Sequence, residues 1–269
     1  INMFDIWAVS TNTYHGFSLE EALTGIAKAG FPYVELACVE GWTNHFSVIN
    51  HREEDLKKLR NALSRLGLQV ASISAHSDLS TPEGVSYLEK ALDLARVLGA
   101  RVVNTGTIEE GNKKGILISN LQVLASEAAK RGVKIGLEIH GDFLKDGRAA
   151  CELMEELNHP AVGINYDTGN VIFYGGVRPE EDVKNCLPWI VHFHLKDKRG
   201  GYKVWDFPPL GEGDIDFGKI FALAREENIE VPWSVEIEFD GKFQHSREFV
   251  DQAVKKSFDY LQSLIGEEK

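Results

Sequence analysis

The chain has 269 residues, 43% of them apolar and 26% charged, with a formal net charge of −12. That length supports a sizeable buried core, and no stretch approaches the roughly 20 apolar residues of a membrane span. The acidic balance argues against nucleic acid as a partner, because phosphate contacts need a basic surface.

The opening Ile1-Asn2-Met3 has neither the basic nor the apolar region of a secretory signal. A strand over 3–10 leads into a helix over 19–29. Strands at 33–37, 69–75, 101–105, 133–140, 161–167, 190–196 and 233–239 then alternate with helices at 53–66, 82–98, 116–131, 147–157, 179–186 and 217–228. A last helix covers 247–264. Gly30, Gly67, Gly99 and Gly132 each follow the last periodic residue of a helix, where glycine can form a left-handed C-terminal cap. No linker or low-complexity tract interrupts the alternation, so residues 1–269 read as one domain. Eight strand–helix units imply an α/β protein closed into a single (β/α)8 TIM barrel. An open doubly wound sheet is the alternative; it is disfavoured because no Gly-rich phosphate or dinucleotide loop follows a strand. Cys38, Cys151 and Cys186 are odd in number and lack metal-type spacing, so they read as free thiols of a cytoplasmic protein.

Strand side chains alternate between two faces. In Gly136-Leu137-Glu138-Ile139-His140 the even positions are small or polar and the odd ones apolar. Gly163-Ile164-Asn165-Tyr166-Asp167 puts Asn165 and Asp167 on one face, and His192-Phe193-His194-Leu195-Lys196 groups both histidines with Lys196. Ser234-Val235-Glu236-Ile237-Glu238-Phe239 repeats the pattern. Barrel strands are apolar outward, where helices pack, and polar inward near their C-terminal ends only where something uses those groups. Four consecutive strands therefore aim Glu138, Asp167, His194 and Glu236 at the C-terminal mouth. Three carboxylates converging on one imidazole repel one another unless a cation sits among them. Mixed oxygen and nitrogen donors suit one divalent ion: manganese foremost, with cobalt, magnesium and zinc also compatible. The alternative is a salt-bridge layer neutralised by Lys196; four matched strand ends favour the ion.

At these residues the sequence resembles the xylose isomerase-like barrel superfamily of sugar epimerases and isomerases. The matching stretches are Gly136–Gly141, Asn165-Tyr166-Asp167-Thr168-Gly169-Asn170, His192-Phe193-His194-Leu195-Lys196-Asp197, the Pro209-Leu210-Gly211-Glu212-Gly213-Asp214 run through Phe217, and Ser234-Val235-Glu236, in the family's order. Its members include ketohexose 3-epimerases, inosose isomerases and dehydratases, and zinc endonucleases acting at abasic DNA sites. The resemblance implies metal ligation by Glu138, Asp167, His194 and Glu236, with Glu138 and Glu236 also the acid–base pair. That chemistry is coherent: a metal on a ketone oxygen acidifies the neighbouring carbon, and glutamates on two faces can remove and return its proton through an enediolate.

Departures from the family pattern narrow the reading. The endonucleases hold three zinc ions with extra histidines. Here Asn104-Thr105-Gly106, Asn170 and Asp206-Phe207-Pro208 stand where such ligands would be, and His76 alone remains. Asn170 also replaces a substrate-binding histidine of the ketohexose 3-epimerases. His76 and His140 end their strands with mouth-facing parity and are expected to contact substrate. Lys196 is expected to bind a substrate oxygen or stabilise charge. Glu35, inward on the second strand, either contacts substrate or anchors a polar neighbour. Trp42, His45 and Phe46 in the 37–50 segment suit either sugar stacking or a contact between subunits, so a homodimer or homotetramer is left open. The long 198–214 loop is expected to close over the mouth, with Trp205 or Phe207 on substrate. No Gly- and Lys/Arg-rich nest suggests a phosphate site. The expected activity is thus metal-dependent epimerisation or isomerisation of a small, unphosphorylated ketose, keto-acid sugar or inosose. An inosose-type dehydratase is the alternative; an abasic-site endonuclease and a non-catalytic carbohydrate-binding barrel are remote ones. No nucleic-acid or membrane partner is expected.

Overall fold

Eight parallel strands close into a barrel in the computed structural model, which describes residues 6–242 and 245–266. They are β1 (Trp7–Ser10), β2 (Tyr33–Ala37), β3 (Gln69–Ser74), β4 (Val102–Thr105), β5 (Lys134–Glu138), β6 (Val162–Asp167), β7 (Ile190–Leu195) and β8 (Trp233–Val235). Each pairs with the next, and β8 returns to β1. The helices are α1 (Leu19–Ala29), α2 (Glu53–Leu66), α3 (Pro82–Leu98), α4 (Lys114–Arg131), α5 (Gly147–Leu157), α6 (Asn170–Gly175), α7 (Pro179–Asp182), α8 (Phe217–Glu226) and α9 (Arg247–Gly266). The TIM barrel expected from alternation is the fold observed. Among the described residues, no helix is long and apolar enough to cross a membrane.

The helices begin and end where local chemistry dictates. Ser18 and Glu21 form a reciprocal capping box at the start of α1. Gly67 and Gly99 end α2 and α3 with φ of 68° and 73°, a region that costs a side-chain-bearing residue energy but not glycine. Most boundaries fall within a few residues of expectation; three elements depart in an informative way and one was not foreseen. Residues 3–5 of the first predicted strand lie outside the described residues, and β1 begins at Trp7. The last strand stops at Val235 rather than 239; beyond it Phe239 pairs with Phe207 in an antiparallel bridge. The predicted helix 179–186 shrinks to α7 and a 3-10 turn at Val183–Asn185, because the Asp182 carboxylate turns inward to accept from Gly147 N and Tyr166 Oη. The short α6 was not foreseen, since its Val171-Ile172-Phe173-Tyr174 run carries no helical period.

Outward strand residues such as Val9, Leu36, Ile73, Val103, Leu137, Ile164, Phe193 and Val235 join one buried core beneath the helices. Phe193 and Trp233 stack at 4.1 Å, joining β7 and β8 just below the functional residues that they carry. Such a pair adds about 0.5–1.5 kcal/mol beyond its buried area. Inside the barrel, Ile6, Ala8 and Ala71 with Tyr33 make an apolar floor. Above it the interior is polar: Ser10, Glu35, Ser72, Asn104, Asn165, His192 and Ser234 are all fully buried. A register shift after Val34 accommodates Ala71 as an extra residue of β3 and sets Ser72 opposite Glu35.

Candidate metal centre

Glu138 and Asp167 end β5 and β6, His194 lies in β7 and Glu236 directly follows β8. One donor atom from each lies within 4.8 Å of the others, and all four side chains are buried. His194 Nδ1 is 3.6 Å from Glu138 Oε1, 3.5 Å from Asp167 Oδ2 and 3.6 Å from Glu236 Oε2. Strand parity thus brings together the four residues singled out from sequence.

Each ligand candidate is held from behind. Asp167 Oδ1 accepts from the N–H groups of Gly169 (3.0 Å) and Asn170 (2.8 Å) at the start of α6. Its Oδ2 is buried and meets no geometric hydrogen bond, but it forms an ion pair with the Lys196 ammonium at 3.0 Å. His194 Nε2 lies 2.6 Å from Glu35 Oε1. A carboxylate only accepts, so Nε2 carries a proton and Nδ1 faces the three carboxylates. Burial alone lowers the His194 pKa, but Glu35, Glu236 and Glu138 outweigh it and hold the imidazole well above its usual value. The imidazole so charged carries a second proton on Nδ1, and an ion bound there displaces it while Nε2 keeps its own. Three buried carboxylates and an imidazole converging on one point fit a divalent cation of the manganese, magnesium or zinc kind. Among the described residues a second cluster, Glu35 with His192 and His194, shares His194 with the first. Its members are engaged with one another and with Ser72 and Asn104.

The two glutamates have different surroundings. Glu138 Oε2 accepts from His76 Nε2 at 2.8 Å, and Asn170 Nδ2 lies 3.4 Å from Oε1. Burial would raise the Glu138 carboxyl, but His194 and His76 hold it well below its ordinary value. Burial lowers His76, and Glu138 more than compensates, so its pKa is raised. Glu236 Oε1 accepts from Asn12 Nδ2 at 3.1 Å, while Oε2 faces the Lys196 ammonium at 2.7 Å. That ammonium is also 3.0 Å from Asp167 Oδ2 and 3.0 Å from Glu238 Oε2. Burial opposes the Lys196 charge, but Asp167, Glu236 and Glu238 keep its pKa well above normal. Burial pushes Glu238 up to about 7, with Lys196 opposing and Glu236 reinforcing.

Other expected site residues divide by position. His76 and His140 line a cleft of about 680 Å³ together with Thr107, Asp142, Tyr174 and Lys203. His140 Nε2 is 3.0 Å from the Tyr174 hydroxyl. Asn170 and Lys196 are buried among the ligand candidates and are absent from that cleft wall. Two residues lie away from that cleft. Glu35 does not reach the mouth: it is completely buried, accepting from Asn104 Nδ2 (2.5 Å), Ser72 Oγ (3.0 Å) and His194. Of the two roles open to it, the geometry gives anchoring. Trp205 packs edge-on against Phe173 (5.5 Å) and Phe207 (5.2 Å) and is not part of the cleft wall.

The 198–214 loop is tied to the barrel at several points, and its Phe207 ring centre lies 5.3 Å from the Lys196 ammonium. Phe207 is buried and exchanges backbone hydrogen bonds with Phe239 at 2.7 and 2.9 Å. The Asp197 carboxylate accepts from the N–H groups of Lys198, Gly211 and Gly213. A Cβ at Gly213 would fall 2.2 Å from Asp197 Oδ1, so only glycine fits. The loop reaches the cleft through Lys203, whose ammonium lies 4.6 Å from the Tyr174 ring centre and 3.0 Å from Asp142 Oδ1. Sequence reasoning did not single out Asn12, Tyr174 or Glu238. For Glu238 a signal existed, since it shares its face with Glu236; for the other two there was none.

Comparison with known proteins agrees with this architecture. A family model described as a xylose isomerase-like TIM barrel matches residues 23–264. An inosose dehydratase of Clostridium botulinum (strain Alaska E43 / Type E3) is 26% identical, covering 86% of each chain. An L-ribulose 3-epimerase of Methylomonas sp. (strain DH-1) is 24% identical over 80% of this chain and 77% of its own. A xylose isomerase-like TIM barrel protein from Mycobacterium smegmatis, solved in complex with magnesium, superposes with a TM-score of 0.76 at 19% identity, covering 96% of this chain and 99% of that one.

Proposed function

The chain belongs to the xylose isomerase-like TIM barrel family, and we propose from that premise that it is a divalent-metal-dependent epimerase or isomerase of a small, unphosphorylated ketose, keto-acid sugar or inosose. The observation that carries this reading is the convergence of Glu138, Asp167, His194 and Glu236 donors, all buried, within 4.8 Å. These four residues would hold the ion, with manganese our assignment. When bound, it supplies a Lewis acid that polarises the substrate carbonyl and acidifies the adjacent carbon.

The remaining work falls to this chain's own groups. Glu138 and Glu236 rise from β5 and β8, three strands apart around the mouth, so each is suited to serve one face of the reacting carbon. Glu138, kept ionised by His194 and His76, accepts a proton on its side. Glu236, between Asn12 and Lys196, returns or accepts one on the other. Lys196 places a positive charge beside the carboxylates, where negative charge on a substrate oxygen would develop. His76, His140 and Tyr174 present polar groups to the cleft, whose size suits a small polyhydroxylated substrate.

A second reading is dehydration of an inosose-like polyol. It is favoured by the His140–Tyr174 pair on the cleft wall, a proton donor distinct from both glutamates. Incubating the manganese-loaded protein with a panel of ketoses, keto-acid sugars and inososes in deuterated water tests both. Carbon-bound deuterium with an inverted or moved carbonyl centre is the expected result; loss of water to an unsaturated ketone selects the dehydratase. No exchange and no product across the panel would refute proton-transfer chemistry on these substrates.

A further inference from the structure

Asn12 sits in the 3-10 turn Thr11–Tyr14 that follows β1, 224 positions before Glu236. Its amide has only one workable orientation. Oδ1 accepts from Thr43 Oγ1 at 2.6 Å and from Trp42 Nε1 at 3.0 Å, both donors on the turn between β2 and α2. Nδ2 therefore faces Glu236 Oε1 at 3.1 Å and Glu238 Oε1 at 3.5 Å. A flipped amide would set its NH2 against the donor-only Trp42 Nε1–H and its carbonyl against two carboxylates, keeping at most the Thr43 contact with the hydroxyl as acceptor. Lys196 grips the same two glutamates from the other side, through Glu236 Oε2 and Glu238 Oε2. The pair is thus clamped, with Oε1 of each on Asn12 and Oε2 of each on Lys196.

The lock on Asn12 is itself held. Thr43 Oγ1 lies 2.6 Å from His15 Nδ1, and the His15 ring stacks on Trp42 at 4.2 Å. The turn is closed by Val39 N donating to Thr43 O at 2.9 Å and by a bridge between Cys38 and Asn44. Moving this turn would release the Asn12 carbonyl, free its amide to rotate and leave Glu236 Oε1 without its donor.

We propose that Asn12 is a positioning residue: locked by Thr43 and Trp42, its amide fixes the plane of the Glu236 carboxylate, so proton transfer on that face requires the 38–50 segment to be seated. The inference rests on Glu236 being a proton-transfer group, and its test separates the two ideas. The variants are Asn12→Leu, the milder Thr43→Val, and their combination, with Glu236→Gln and Glu138→Gln as references. Each is measured for manganese affinity, thermal midpoint, turnover and deuterium exchange on the substrate that the panel identifies. Asn12→Leu is expected to bind metal and to lose turnover by about 10–100-fold, the usual cost of removing a group that orients a ligand. It should lose the exchange step that Glu236→Gln loses and keep the one that Glu138→Gln loses. Thr43→Val should fall between, and the double variant should be no worse than Asn12→Leu, because both act through one amide. In the metal-free protein, the Asn12 side-chain amide protons should exchange slowly with solvent, and faster after Thr43→Val. Wild-type turnover in Asn12→Leu beside an inactive Glu236→Gln would overturn the positioning role alone. Equal loss of both exchange steps with a lowered thermal midpoint would reduce Asn12 to a structural residue. Full activity in Glu236→Gln would remove the reading on which the inference stands.

Discussion

Replacing Glu35 with glutamine tests how the metal centre is supported. Glu35 is completely buried and accepts on one side from His194 Nε2 and on the other from Asn104 Nδ2 and Ser72 Oγ. Glutamine offers one acceptor oxygen and one NH2. In either orientation, a buried N–H of His194 or Asn104 is left facing another donor, at about 1–3 kcal/mol. For a chain of this size that lowers the thermal midpoint by about 2–4 °C per kcal/mol. The loss of charge also makes the His194 imidazole a poorer ligand; removing such a partner costs about 10–100-fold in metal affinity. The pH dependence has a definite sign. Burial would raise the Glu35 carboxyl, but His194 and His192 bring it down to about 2 from an ordinary 4.5. A depressed carboxyl stabilises the fold above its unfolded value and loses that contribution as pH falls through the folded one. The wild-type advantage should therefore hold above about pH 5 and fade between 4.5 and 2. Metal titration and thermal melts across pH check this. A Glu35→Gln variant that binds manganese like wild type and melts at the same temperature would refute the support role.

Glu138→Gln and Glu236→Gln should each reduce turnover by about 10²–10⁴-fold even at saturating metal, because an amide cannot accept the proton; full recovery on adding excess metal would make them ligands only. Metal uptake should release about one proton below the raised pKa of His194, so affinity should weaken as pH falls. Calorimetry in buffers of different ionisation enthalpy reads that proton, and no release at neutral pH would contradict the Nδ1 assignment. The same raised pKa stabilises the metal-free fold below the ordinary histidine value of 6.5, a contribution lost as pH rises through the folded value. Phe207→Ala should destabilise the fold by about 3–5 kcal/mol, as for a buried aromatic, whereas Trp205→Ala should leave turnover near wild type. Denaturant melts and steady-state rates distinguish these outcomes from a mobile lid, for which turnover would fall and stability hold.

The alternation of strands and helices, and the four ligand candidates, were legible without coordinates because they follow from local periodicity. A period of two places Glu138, Asp167, His194 and Glu236 on inward faces, and matched positions at strand ends bring them to one height in a closed barrel. What periodicity cannot contain is which inward side chains meet. Glu35 and His194 are 159 positions apart, and Asn12 and Glu236 are 224 apart. Their bonds depend on barrel closure and on register, including the shift after Val34 that sets Ser72 opposite Glu35. Length likewise suggested a lid at 198–214, and the contacts that tie that loop down, the bridge from Phe207 to Phe239 and the Asp197 carboxylate, come from partners that no local pattern announces. The physical division is that orientation is a property of the residue and its neighbours in sequence, whereas a hydrogen bond across the barrel exists only once eight strands have chosen their registers together.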